Sequence, residues 1–300
     1  MERITLAPGA HINVLPAEKF NRCRISINFI WPAAREWATA EALLPLVLER
    51  GYQGCPDMTE LSKKLARLYG AALSVDGTMS GQSRVLTVSL SGIRDAFALA
   101  GEPLSREYAD IAFGTAFEPY RVDGVLDAEA VAIEKEQLRE LLEGEINEKR
   151  SYCIRQARRR FYGDSPAGIE RNGYLDEVDG LTADAVTRAY ARMVEQAQIE
   201  VFVLGADVDA VAQRLLALAL AQRVEVDAKH ARAAAVRARR PQQRLVEALV
   251  RQCAHIAIAA AVAIASLVKA TEVADAAERD GARGRGRRGG GPHEVAAALE

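Results

Sequence analysis

The sequence predicts an α+β fold: a mostly antiparallel sheet covered on one face by helices, followed by a poorly patterned Ala/Arg/Gly-rich tail. Three observations lead there. Two early segments alternate apolar and polar residues with a strand period, and two more flank a glycine turn further on. Segments of helical period separate these strands and follow them. A last apolar strand at residues 199–205 then precedes a loss of all pattern.

In chain order, residues 10–16 alternate like a strand, and so do residues 23–31, with Ile25, Ile27 and Phe29 on one face. A helix is predicted from Glu36 to Glu49, with an apolar stripe through Ala42, Leu43, Leu46 and Val47. Gly51 lies just past its end, where a left-handed C-cap glycine is expected. Pro56 and Asp57 open a second helix carrying Leu61, Leu65 and Leu68, which stops at Gly70. Strands at 71–78 and 84–92 flank Ser80, Gly81 and Gln82, a hairpin-like break, and Leu86, Val88 and Leu90 supply one apolar face. Residues 93–115 read as one or two helical pieces, and a long helix is predicted from Asp127 to Tyr162. Thr182 suits an N-cap, with Asp184 in the first turn where a carboxylate meets the helix dipole. That helix is expected to end near Glu195, and Asp207 begins one more, to about Ala221.

Composition narrows the function. A net charge of −2 over 300 residues argues against general nucleic-acid binding, which needs a basic excess. The four cysteines, Cys23, Cys55, Cys153 and Cys253, form no CxxC pair, so neither a disulfide framework nor a cysteine zinc site is expected, and a cytoplasmic location fits. The N-terminal residues do not read as a secretory signal. Of the four histidines, His11, His230, His255 and His293, only His11 falls in the patterned region. A histidine-based nucleophile pair or a hydrolytic zinc site needs more than that, and His11 reads as a partly exposed strand residue. Gly70, Gly77 and Gly81 form neither GxGxxG nor a P-loop, so no nucleotide site is expected.

All the aromatic residues lie at or before Phe202. Roughly 45% of residues from Ala228 onward are alanine or arginine, a biased composition. Residues 256–268 form an apolar run shorter than the ~20 residues a membrane helix needs, and residues 281–291 are an Arg/Gly tract. Residues 223–300 are therefore read as a low-complexity tail, disordered or weakly helical. A GC-rich gene read out of frame gives the same composition.

Two runs carry a family resemblance: Ala42-Leu-Leu-Pro-Leu-Val-Leu-Glu-Arg-Gly-Tyr, followed by Pro56-Asp-Met-Thr-Glu-Leu. Together they resemble the zinc-motif region of the insulinase/pitrilysin-like peptidases, the inverzincins. Later matches are Leu68-Tyr-Gly-Ala-Ala-Leu-Ser, Asp164-Ser-Pro-Ala-Gly, Gly173-Tyr-Leu-Asp-Glu-Val, Thr182, and the strand ending in Val203-Leu-Gly-Ala-Asp. The resemblance covers about residues 8–222, so residues 1–222 are expected to form an insulinase-like N-terminal domain, half of a two-half protein. The active family places an inverted HxxEH motif a few residues before a basic-Gly step. Aligning Arg50-Gly51 on that step puts the motif histidines at Ala42 and Leu46 and the motif glutamate at Pro45. None of these three side chains can hold zinc or activate water. The resemblance sets the third ligand at Glu140 or a neighbour on the long helix. The glutamates there alternate with cations, and Arg139/Glu143 and Glu145/Lys149 have i,i+4 spacing, so a solvated, paired face is expected.

Ala42-Leu-Leu-Pro, Leu68-Tyr-Gly-Ala-Ala-Leu-Ser and Ile146-Asn-Glu-Lys most resemble zinc-less bacterial members associated with 5-aminopentanol modification of elongation factor P. The resemblance implies a non-catalytic subunit in a heterodimer with a zinc-bearing relative. It implies no catalytic, metal or cofactor site in this chain, and zinc only in the partner. It also implies a polypeptide substrate, and no nucleic acid or membrane. Strand residues Ala72, Leu73, Ser74 and Val75 fall where active relatives pair an extended peptide with a sheet edge, Ser74 standing where asparagine is common. Two alternatives are a diverged hydrolase with an unrecognised site and a truncated, non-functional remnant. The basic run from Arg155 to Tyr162 reads as the solvated end of the long helix, and Cys153 as a small core residue.

Overall fold

The computed structural model describes residues 1–211, 213, 214 and 218, apart from Pro8, Pro16 and Glu18. Outside those residues fall the tail at 223–300, His230, His255, His293 and Cys253, the apolar run, the Arg/Gly tract and the end of the last predicted helix. Residues 208–211 are helical, as expected for its start.

The strands and helices run β1 (Glu2–Ala7), β2 (Ala10–Leu15), β3 (Arg22–Pro32), α1 (Ala38–Glu49), α2 (Met58–Arg67), β4 (Ala72–Ser80) and β5 (Ser83–Ile93). Next come α3 (Leu104–Phe117), the small hairpin β6 (Arg121–Val122) and β7 (Val125–Leu126), α4 (Ala128–Gly144), α5 (Lys149–Tyr162), α6 (Leu175–Val178), α7 (Ala183–Gln196) and β8 (Gln198–Leu204). The main sheet has the order β1-β2-β8-β3-β5-β4, with β2 and β8 parallel and every other neighbour antiparallel. This is the expected α+β architecture. β1 is an addition to the predicted strands, a short edge element turned onto β2 through Gly9 at φ +80.

Alternation puts Ile25, Ile27 and Phe29 of β3, Leu86, Val88 and Leu90 of β5, and Ile199, Val201 and Val203 of β8 on one buried face. Helices α1, α3 and α7 cover it, contributing Leu43, Leu44 and Leu48, then Tyr108 and Phe113, then Val186 and Met193. Asp57 caps α2 by accepting the Glu60 N–H at 2.8 Å, and Thr182 caps α7 by accepting that of Ala185 at 3.2 Å, both as the sequence suggests.

Five local expectations are corrected. α1 has no single apolar stripe: ten of its residues are buried, while Leu46 of the predicted stripe is only partly covered. A helix apolar on all sides is a core helix. Gly51 is not a left-handed cap, because its φ is not positive. A Cβ there would sit 2.7 Å from the carbonyl oxygens of Cys55 and Pro56, so glycine permits a close backbone approach instead.

The long helix from Asp127 to Tyr162 is two helices. Glu148, at φ −86 and ψ 76, leaves the helical region, and Gly144 offers little helix propensity beside it. The predicted i,i+4 pairs give way to other partners: Arg139 bonds Glu136 and, at 2.6 Å, Asp179, while Glu145 meets Arg155. Cys153 is exposed on α5, not in the core, because α5 buries none of its residues.

Candidate functional site

The positions of interest lie where α1 packs beside β4. β4 pairs with β5 alone and so forms one border of the sheet among the described residues. Pro45 of α1 rests on this strand, its Cγ 3.0 Å from the place a Cβ of Gly77 would take. The missing side chain at Gly77 is what lets helix and strand approach there.

The α1 residues at the motif positions supply no ligand atom: Ala42 and Pro45 are buried, Leu46 half-buried. On α4, Glu140 is exposed and points away, whereas its neighbour Glu134 is buried and faces α1. The Glu134 carboxylate accepts a 2.7 Å bond from Nη1 of Arg50 and is spent on that ion pair. A zinc ion needs three or more lone-pair donors converging on one point, and these residues do not fit one. Among the described residues no group of three His, Cys, Asp or Glu could hold a metal.

Along the outer side of β4, Ala72 is exposed, Leu73 and Ser74 are half-buried and Val75 is buried. The Val75 N–H lies against the Glu49 carboxylate at the end of α1. Antiparallel pairing alternates inward and outward backbone groups, so the N–H and C=O of Leu73 and Gly77 also face outward. Burial pushes the Glu49 carboxyl above its ordinary range, Asp76 and Glu134 add to the push, and the Val75 N–H opposes it. A cavity of about 520 Å³ opens beyond Glu49, lined by Arg50, Gly51, Asp57, Tyr120 and Asp127 among others.

One helical turn before Pro45, α1 is held by a buried charge cluster. Glu41 accepts a 2.9 Å bond from Trp31 Nε1 and one from Arg192, and its second oxygen is 3.8 Å from Nε of Arg84. Arg84 also donates to the Arg171 carbonyl at 2.9 Å. Burial drives the Glu41 carboxyl upward against the pull of Trp31 and both arginines, and it lowers Arg84 to about 10. Sequence reading missed this cluster; the available signal was a lone carboxylate inside the otherwise apolar run of α1. His11 sits on β2, half-buried, with Nδ1 3.1 Å from Glu200 on the sheet face opposite the helices.

No family model matches the chain. It is 26% identical over 201 residues to a "Probable inactive metalloprotease" (YmfF) of Bacillus subtilis, covering 67% of this chain and 47% of that protein. Among solved structures, a conserved protein from Enterococcus faecalis shares 25% identity at a TM-score of 0.65, over 69% of this chain and 49% of that one. A peptidase M16 inactive domain from Pseudomonas fluorescens matches at 15% identity and a TM-score of 0.54, over 71% of this chain and 49% of the other. A protease from Helicobacter pylori matches at 11% and 0.51, over 71% and 48%; these last two likenesses speak for the fold alone. The chain spans about half the length of the relatives it matches. The expected resemblance to insulinase-like peptidases, in their inactive form, is borne out. Among the described residues no helix is long and apolar enough to cross a membrane.

Proposed function

From this likeness to inactive insulinase-like chains we propose that the protein is a non-catalytic, peptidase-like subunit that forms one wall of a substrate chamber beside a zinc-bearing relative. The observation that carries the reading is the composition of the α1 surface next to β4. Where the resemblance puts two histidines and a glutamate, the chain has Ala42, Leu46 and Pro45, and Glu134 is engaged by Arg50. The expected result is that the purified chain binds no stoichiometric zinc, cleaves no casein or peptide library, and forms a stable complex with a zinc-bearing relative from the same genome. Chelator-sensitive cleavage by the chain alone would sink the reading. The finer assignment, a role beside elongation factor P modification, rests on the Ala42 to Pro45 and Leu68 to Ser74 likeness. It calls for that modification to fail when the gene is deleted.

The polypeptide ligand of this subunit is assigned to the β4 edge at Ala72, Leu73, Ser74 and Val75, by strand addition without cleavage. Glu49 competes for the Val75 N–H that a peptide strand needs. Glu49→Ala is therefore expected to tighten binding of an extended peptide about threefold to tenfold, one hydrogen bond being worth ~1 kcal/mol. Fluorescence anisotropy with a labelled peptide reads it, and weaker binding by the variant would count against the edge.

A further inference from the structure

We infer that α5 is a docking helix for a second copy of this chain, seated on the outer face of that copy's α4. The helix is unlike the others of the domain. Its 14 residues bury nothing, and they carry six cations (Lys149, Arg150, Arg155, Arg158, Arg159 and Arg160) with no carboxylate. It is held to the body by polar contacts at Arg155, which meets Glu145 and lies 3.9 Å from Glu170, and at Arg158, which donates to the Ala167 carbonyl at 3.2 Å.

At 100° per residue, Arg150, Ile154, Ala157 and Phe161 fall on one stripe, turned away from the half-buried Tyr152 and Arg155. Ile154 is 54% exposed and Phe161 81%. A purely solvated helix has no reason to place its largest apolar groups outward; a docking helix does.

The complementary surface is on the same chain. The solvent side of α4 holds Glu129, Glu140 and Glu143, exposed and in no ion pair among the described residues, around Ile133, which is 42% exposed. Leu141 and Ile146 continue the exposed apolar groups towards the joint with α5. Its two cations are already engaged: Lys135 donates to the Asp179 carbonyl at 2.7 Å, and Arg139 binds Asp179 and Glu136. An acidic face with apolar centres thus precedes a basic face with apolar centres, separated by residues 145–148.

A two-fold axis near that joint lets each α5 meet the other copy's α4, so the contact forms twice and closes without open ends. Each α5 is only about 21 Å long. Even doubled, the contact is at the small end of specific interfaces, so the association is expected to be weak and salt-dependent.

Sedimentation velocity on the full 300-residue chain tests this. The wild type is expected to pass from monomer to dimer as concentration rises, with affinity falling about tenfold or more at ~0.5 M salt. Arg150→Glu with Arg160→Glu, and separately Glu140→Lys with Glu143→Lys, should each weaken the dimer about a hundredfold, because like charges then face each other. An equimolar mixture of the two variants should associate again, to within about tenfold of the wild type, because each supplies the face the other lacks. A wild type that stays monomeric, a dimer indifferent to salt or to both reversals, or a mixture that fails to re-form overturns the inference. So does a monomer whose α5 cations bind phosphatidylserine vesicles, which would assign this face to a lipid surface.

Discussion

Glu41→Ala is expected to cost about 3–5 kcal/mol of stability, the range for removing one partner of a buried ion pair. The carboxylate is 1% exposed, and its partner Arg84 only 3%. Without Glu41, Arg84 retains the Arg171 carbonyl but loses the only negative charge beside it among the described residues, and Trp31 Nε1 loses its acceptor. The loss reflects an orphaned cation more than the net worth of the pair, since both groups were desolvated to form it. Burial pushing Glu41 up and Arg84 down marks that desolvation cost. Glu41→Leu combined with Arg84→Met is therefore expected to recover a good part of the lost stability. Urea unfolding of the three chains reads both statements. A Glu41→Ala midpoint within about 1 kcal/mol of the wild type would refute the cluster as the anchor of α1.

Gly173→Ala is expected to cost about 2–4 kcal/mol, through a disfavoured backbone conformation and a collision together. Gly173 has φ +77, and a Cβ there would sit 2.5 Å from the Cα of Thr39 and 2.8 Å from its Oγ1. The contact cannot be relieved by a rotamer change, because the nearest atom is α1 backbone. The close approach at Thr39 also orders the segment leading into α6. There the Tyr174 N–H donates to Thr39 Oγ1 at 3.1 Å, and Arg35 stacks 3.3 Å over the Tyr174 ring while binding Glu177 at 2.6 Å. Gly144→Ala serves as the contrast. Gly144 has φ −70 with nothing near its side-chain position, so alanine there should be neutral or stabilising by up to about 1 kcal/mol. Thermal melts of the two variants compare them directly, and equal effects would refute the close approach at Thr39.

Strand and helix identities were legible because they depend on neighbours in sequence. The alternation at Ile25, Ile27 and Phe29 and the caps at Asp57 and Thr182 survive in the fold as read. The same local reading failed at Gly51, which looks like a helix cap but serves a contact with Cys55 and Pro56, and at Gly144 to Glu148, where the sequence read as part of one continuous helix. In the candidate site, the residue types at Ala42, Pro45 and Leu46 were plain from the sequence, whereas the identity of the facing glutamate was not. Glu134 and Glu140 are both carboxylates on one helix, and only packing against α1 separates the buried one from the exposed one.

The sequence by itself determined the α+β class, the apolar face of the sheet and the absence of ligand side chains at the motif positions. Each of these is a property of residue type or of short-range period. Only the tertiary structure decided that β8, the last of the described strands, lies inside the sheet between β2 and β3, leaving β4 at its border among the described residues. It alone joined Glu41 to Arg84 and Arg192, 43 and 151 positions away in the chain, into the cluster that holds α1. The physical reason is common to both: strand order and ion pairing between distant segments are set by which surfaces bury each other, and no local periodicity encodes that choice.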